Sequence, residues 1–147
     1  MSGANLELRE FHWLTSMLQA IDVGITVLDR EFRIQIWNAF MENHSGRRPE
    51  SVQGRILFDC FPELPEQWLR RKVEPVFQLS SNAFSSWEQR PWLFRFRNYR
   101  PITGKEDLMY QNVTFMPLTS LTGEVDHLCI LVYDVTDMAI SRKAQQA

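Results

Sequence analysis

The stretch Leu128-Cys129-Ile130-Leu131-Val132-Tyr133-Asp134-Val135-Thr136-Asp137 decides the fold of this chain. Its apolar residues run almost without interruption and stop at Asp-Val-Thr-Asp, after which a polar segment reaches Ala147. A nearly continuous apolar run with polar ends is typical of a buried strand. Thr136 can cap a helix that starts with Asp137, whose negative charge suits a helix N-terminus. The sequence therefore predicts a final strand that leads directly into an exit helix.

Size and composition indicate one globular domain. The 147 residues are 44% hydrophobic and 12% aromatic, and a net charge of -2 gives no general attraction to nucleic acid or anionic membranes. The longest apolar run is far shorter than the roughly 18–20 residues of a membrane helix, and the N-terminus does not resemble a secretion signal. Cys60 and Cys129 form no disulfide framework, and free thiols suit a reducing compartment. We expect a soluble, cytoplasmic protein.

An amphipathic helix is predicted at the front of the chain, over residues 1–22. Apolar side chains recur there at three- and four-residue spacing, and four of them also fit the a and d positions of a short heptad pattern. Such a stripe can pack on the helix's own domain, on a second copy of the chain, or on both. The predicted dimer contact consists of Phe11, Leu14, Leu18 and Ile21.

Strands are predicted on both sides of a helical middle part. Two short strands over 25–28 and 32–37 precede Asn38, which can cap the next helix. Prolines punctuate the helical part, and Pro75 is expected to kink its longest helix. Further strands are predicted over 83–88, 93–99, 108–118 and 125–135. This order is typical of an α+β fold, with a five- or six-stranded antiparallel sheet and short helices over one face.

These motifs together resemble the PAS domain family of bacterial sensory modules. The resemblance covers residues 18–136 and rests on Gly24–Asp29, Trp37-Asn38, Gly54 and Asp134-Val135-Thr136. It implies a PAS-like domain over 23–136 and the start of a linker helix over 137–147. The segment 90–100 is longer than a minimal PAS sheet requires, and we expect an extra strand or a long flap there.

The resemblance also implies a function. A PAS domain binds a small ligand or a partner and relays the change to an output domain, such as a diguanylate cyclase or a histidine kinase, in cis or in trans. The predicted relay consists of Asp134, Thr136 and Asp137. We expect the chain to be either part of a longer protein or a short partner protein. Its role is expected to be regulatory rather than enzymatic.

The cofactor classes of the family do not fit these residues. Flavin photosensors place a reactive Cys inside Asn-Cys-Arg-Phe-Leu-Gln, whereas Cys60 is displaced from that position, and the coumarate photosensors need a Cys further along the chain. Haem sensors ligate iron with a His on the long helix, but 66–80 contains none and His44 lies on another helix. Flavin and haem are therefore disfavoured, and the cofactor is left unknown.

An apolar ligand cavity is implied instead. Such a cavity binds small molecules with a few polar groups that fix orientation, but the same side chains can simply fill the core. The second reading makes the chain a ligand-free interaction and dimerisation module. The predicted lining consists of Ile36, Leu57, Phe61, Val73, Phe77, Trp87, Phe115 and Leu131.

Metal, catalytic and nucleic-acid sites receive little support. His127 and Cys129 share a strand face, yet a zinc site needs three or four ligands. Asp59 and Asp134 have no acid–base arrangement with a histidine, so no catalytic residue is predicted.

A nucleic-acid-binding strand face is the minor alternative. It would combine the cations Arg90, Arg95, Arg97 and Arg100 with the aromatic residues Trp92, Phe94, Phe96 and Tyr99. Alternation instead places Arg95 and Arg97 on one face and Phe94 and Phe96 on the other, as in an edge strand with one wet face.

Overall fold

A five-stranded antiparallel sheet forms the centre of the molecule. The computed structural model describes residues 2–97 and 108–146, with the side chains of residues 2–6 left aside. The strands lie in the order β2-β1-β5-β4-β3, with β5 in the middle. They are β1 (Gly24–Asp29), β2 (Ile34–Trp37), β3 (Ala83–Ser85), β4 (Gln111–Thr119) and β5 (Val125–Asp134). The predicted α+β fold is confirmed, with five strands.

Six helices accompany the sheet in the part of the chain that the structure describes. They are α1 (Ser2–Ala20), α2 (Ala39–Ser45), α3 (Pro49–Val52), α4 (Leu57–Cys60), α5 (Glu66–Leu79) and α6 (Thr136–Gln146). α5 continues through Pro75, where we expected a kink. None of the helices in 2–97 and 108–146 has an apolar run that could span a membrane.

The sheet has an inner face, packed against helices, and an outer face. Along β5, Leu128, Ile130 and Val132 are fully buried. They lie on the same face of the sheet because alternate side chains of a strand point the same way. They meet Leu28, Thr26 and Gly24 of β1 in register. α5 lies against β4 and β5, and α2 lies against β1, so this inner face closes the main core.

Gly24 is required by close packing between α2 and the sheet. A Cβ atom there would lie 2.7 Å from Met41 Sδ, 2.9 Å from Phe40 and 3.0 Å from Val132. Real Cβ contacts are essentially never shorter than 3.0 Å. The first residue of β1 is thus fixed as glycine by the approach of α2.

The predicted strand over 93–99 does not form within the described residues. Residues 91–97, hereafter the strap, have no regular structure apart from a single bridge between Arg97 and Leu108; positions 98 and 99 lie outside the described residues. Phe94 and Phe96 are buried while Arg95 and Arg97 are exposed, so the predicted alternation is present without the strand. β3 also ends earlier than predicted, because a turn follows in which Gln89 N donates to Ser86 O at 3.1 Å.

Candidate functional site

The main core contains most of the predicted cavity lining. Leu57 and Phe115 are fully buried, and Val73 and Phe61 are almost so. Phe77 is half-buried and packs against the same cluster from α5. These five side chains therefore share one interior between the helices and the inner face of the sheet.

Three predicted lining residues lie elsewhere, which corrects the sequence analysis. Ile36 pairs with Val27 and Leu131 pairs with Ile25, which places both on the outer face of the sheet. The sequence analysis assigned Ile36 and Leu131 to the interior, but both are outward-facing members of β2 and β5. Trp87 lies past the end of β3 and packs with Tyr110 and Ala139 in a separate small cluster.

The strap supplies aromatic side chains to the interior. Phe94 is 1% exposed, and its ring centroid lies 6.1 Å from Trp37 and 5.8 Å from Phe61, in edge-on contacts. Phe96 stacks on Phe94 at 5.2 Å. The sequence signal for these residues was the Arg–Phe alternation, which predicted buried rings but not the place that they occupy. Because the rings are buried, they are not available to stack on nucleic-acid bases.

Asn38 joins the first helix to the core. Its side-chain oxygen accepts hydrogen bonds from Ile25 N at 3.0 Å and Met41 N at 3.3 Å, so it caps α2 as predicted. Its amide nitrogen donates to Leu18 O at 3.0 Å and Val23 O at 2.8 Å. The end of α1, the start of β1 and the start of α2 are thus held by one buried amide.

A second polar cluster lies where β5 passes into α6. Asp134 Oδ1 accepts from the backbone N–H of Thr136 at 3.0 Å and from its hydroxyl at 2.6 Å. The Thr136 hydroxyl oxygen accepts in turn from Tyr110 N at 3.0 Å. This corrects the predicted roles, because α6 already begins at Thr136 and the Thr136 hydroxyl bonds to Tyr110 and Asp134 instead of capping the helix. Asp137 lies in the first turn, where a negative charge is favourable.

The exit helix is docked on the body of the domain. Ala139 is fully buried against Trp87 and Tyr110, whose rings meet edge-on at 5.7 Å. Farther along α6, Lys143 Nζ lies 4.8 Å from the centre of the Tyr110 ring, and Arg142 pairs with Glu88 at 2.9 Å. The apolar contact is the stronger anchor, since exposed ion pairs contribute little to stability.

His44 lies among aromatic rings and within electrostatic reach of Asp134. Its ring is 4.3 Å from Phe40 and 6.1 Å from Phe96. Burial lowers the pKa of His44 below its usual 6.5, while the charges of Asp134 and Asp22 and a hydrogen bond with the Arg97 backbone oppose that shift. The neutral imidazole therefore predominates near pH 7.

The outer face of the sheet and α1 expose apolar side chains. Phe11, Leu14 and Ile21 are 69%, 57% and 48% exposed, and Leu18 is half-buried. On the sheet, Phe84 and Ile36 are also exposed. The four predicted dimer residues thus leave an apolar stripe uncovered in the single chain.

Few residues could hold a metal or a reactive cofactor. Within 2–97 and 108–146, no group of three metal-ligating side chains occurs. His127 instead lies 2.9 Å from Asp126. Cys60 and Cys129 are buried free thiols, and burial raises the pKa of Cys129 to about 11, which opposes thiolate chemistry.

The family follows from the match of the sequence to a family model. A model described as the PAS fold matches residues 18–139, most of the chain. The chain belongs to the PAS family. The PAS resemblance seen in the sequence is thereby confirmed. Among curated proteins, no relative matches the chain.

Solved PAS structures resemble this PAS domain over most of its length. A sensory box sensor histidine kinase from Vibrio cholerae is 29% identical, with a TM-score of 0.62, over 90% of this chain and 97% of that one. The PAS domain of histidine kinase ThkA is 25% identical, with a TM-score of 0.53, over 76% and 98%. The PAS domain of nitrogen regulation protein NR(II) from Vibrio parahaemolyticus, 13% identical with a TM-score of 0.58 over 82% and 96%, shares the fold. The chain is thus similar to sensor domains of histidine kinases.

Proposed function

We propose that this PAS domain is the sensory and dimerisation part of a bacterial signalling protein, and that it relays a change in its core through β5 and α6 to an output domain. The observation that carries the proposal is the continuity of the central strand with a docked helix. Asp134 ends β5, and its carboxylate holds the first residue of α6. A displacement of β5 is therefore transmitted to α6 without an intervening flexible linker.

A histidine kinase is the output domain best supported for this PAS domain. The similar Vibrio cholerae structure is a sensor histidine kinase, and the similar ThkA structure is the PAS domain of a histidine kinase. These similarities favour a kinase over a diguanylate cyclase. The regulatory role then belongs to the PAS domain and the catalytic role to the attached or partner kinase.

A chimeric kinase tests this relay. The PAS domain, joined through α6, replaces the corresponding domain of the Vibrio cholerae kinase, and autophosphorylation is measured. Thr136→Val should shift the activity of the chimera severalfold, because it breaks the bond between Tyr110 and the α6 start. Thr119→Val, an exposed change at the end of β4, is the matched control. Equal activity of both variants would contradict the relay.

Dimerisation is the second part of the proposal. The uncovered apolar stripe on α1 follows a heptad spacing. When two parallel helices with such a spacing associate, the a and d side chains of one helix are buried against those of the other. Leu14→Glu with Leu18→Glu should therefore give a monomer by light scattering. Exchange of the exposed polar residues Thr15 and Gln19 for Glu should leave the dimer intact. An unchanged dimer in the first variant would remove α1 from the interface.

A ligand-free interaction module is the alternative, and a specific observation favours it. Phe94 fills interior space that a small ligand would otherwise occupy. Native mass spectrometry distinguishes the two functions, because it reports bound mass and oligomeric state in one measurement. A small molecule carried with the folded chain supports the ligand sensor, whereas a dimer with no added mass supports the interaction module.

A further inference from the structure

The strap is an unusual way to complete a protein core. It has no helix or strand of its own, yet Leu93, Phe94 and Phe96 are 3%, 1% and 3% exposed. Phe94 reaches the rings of Trp37 and Phe61, which belong to β2 and the end of α4. An irregular segment thus places an aromatic ring between parts of the domain that form the helix–sheet interior.

One buried side chain holds the first part of the strap, whereas farther along Met109 N donates to Phe96 O at 2.8 Å. The Gln111 side-chain oxygen accepts from Leu93 N at 2.9 Å and Phe94 N at 3.1 Å, and its amide nitrogen donates to Phe94 O at 2.7 Å. The Gln111 backbone N–H also donates to Pro91 O at 2.8 Å. Gln111 thereby supplies Leu93 and Phe94 with the hydrogen bonds of a strand ladder that they lack, and its side-chain bonds are separate from the backbone pairing of β4 with β5.

The residue before Gln111 holds the exit helix. Tyr110 N donates to the Thr136 hydroxyl, and Tyr110 O accepts from Val135 N at 2.9 Å. The Tyr110 ring packs with Trp87 and Ala139 at the α6 interface. Gln111 and Tyr110 are thus consecutive residues with different partners. The Gln111 side chain binds the strap, and the side chain and backbone of Tyr110 bind α6.

We propose that Phe94 is an internal placeholder for an uncharged aromatic ligand, and that its departure from the core loosens α6 through Gln111 and Tyr110. The ligand class follows from the neighbours, because Trp37 and Phe61 meet the Phe94 ring edge-on and such contacts favour another aromatic ring. The proposal rests on the function proposed for α6 as the output connection. It adds the moving part and the position that a ligand takes.

Amide hydrogen exchange of the full chain tests the coupling. In Phe94→Ala, amides of 139–143 in α6 should exchange at least about tenfold faster relative to those of 70–74 in α5, because local opening is separable from global unfolding. Phe58→Ala is the matched control. Phe58 is also a buried ring, in contact with Phe32 at 5.2 Å, on the side of the core near Arg70. It should not accelerate α6 relative to α5, because its ring lies against Arg70 of α5.

Two further measurements keep the test decisive. Phe94→Leu retains most of the buried volume and serves if Phe94→Ala does not fold; it should show the same preferential effect on α6 at smaller size. Benzene added to Phe94→Ala should raise its melting temperature and slow α6 exchange again, since apolar cavities of ring size bind benzene.

The outcomes separate this inference from the relay itself. Equal acceleration of α5 and α6 in both Phe94 variants, or benzene binding that leaves α6 exchange unchanged, would overturn the coupling. Neither result bears on the kinase chimera, because that experiment changes Thr136 and leaves Phe94 in place. If Thr136→Val left the activity of the chimera unchanged while Phe94→Ala still loosened α6, the proposed output connection would be overturned instead.

Discussion

At the scale of single residues, buried polar side chains organise the connections between the domain and its two flanking helices. Asn38 is 1% exposed and satisfies two donors and two acceptors of the backbone. A buried backbone group that loses its partner costs about 1–3 kcal/mol. Asn38 therefore stabilises the attachment of α1 as well as the start of α2.

The Asn38→Ala variant should lose about 3 kcal/mol of unfolding free energy, since one buried and three partly buried backbone groups lose their partner and some of them recover water. Urea denaturation followed by tryptophan fluorescence measures the loss. Asn43→Ala, in an exposed position of the same helix, is the control and should change stability by less than about 0.5 kcal/mol. Similar stabilities of the two variants would show that the Asn38 bonds are not needed.

His44 should make the stability of the domain depend on pH. Its folded pKa is lowered from 6.5, mainly by burial, so the unfolded chain binds a proton more readily than the folded chain. Unfolding free energy should therefore fall as the pH drops below 6.5, through the lower folded pKa. His44→Phe should flatten this dependence between about pH 7 and pH 5.5, as measured by urea denaturation across that range. An identical slope in the variant would assign the dependence to other groups.

At the scale of secondary-structure elements, the sequence predicted the strands better than the segments between them. β1, β2, β4 and β5 were found within a few residues, because apolar alternation and turn residues mark them. The side-chain faces of Ile36 and Leu131 were assigned wrongly, because a strand with apolar residues on both faces gives no sign of which face meets the helices. The strap was predicted as a strand, since its alternation does not reveal that a glutamine from β4 takes its backbone hydrogen bonds.

The junction of β5 and α6 has a testable weak point. Thr136→Val keeps the size of the side chain but removes the hydroxyl that joins Tyr110 N to Asp134. We expect a loss of about 1–3 kcal/mol of unfolding free energy, since Tyr110 N is buried. Thr136→Ser retains the hydroxyl and should stay close to the original stability. The comparison is made by thermal unfolding, and equal melting temperatures of the Val and Ser variants would contradict the role of the hydroxyl.

At the scale of the whole molecule, α1 and α6 are attached at one end of the sheet. Gly24, at the start of β1, pairs with Val132 near the end of β5, so the two helices meet the sheet close together. The outer face between them carries apolar side chains, among them Leu131 and Ile25 of the paired strands. No single local pattern in the sequence could show this arrangement, because the proximity of the two attachment points depends on the pairing of the first and last strands.

The outer face should contribute to the proposed dimer. Ile36→Lys places a charge on an apolar surface without disturbing the interior, because the Ile36 side chain is already 42% exposed. We expect the dimer dissociation constant to rise at least about tenfold, as a desolvated charge costs more than about 1.4 kcal/mol. Sedimentation velocity across a concentration series measures it. Leu121→Lys, at a fully exposed loop position, is the control, and equal dissociation constants would exclude the outer face.

The firmest attachment of α6 is its first turn, where Ala139 is buried, because the contact of Arg142 with Glu88 farther along is exposed and weak. This gives the helix mechanical leverage. At about 1.5 Å per residue, its 11 residues extend roughly 16 Å from Thr136. A tilt of only about 10° at the base would swing the far end by about 3 Å, comparable to half a helical turn. A small rearrangement at the start of α6 thereby becomes a displacement at its far end that is large enough to change the register of a helix packed against that end.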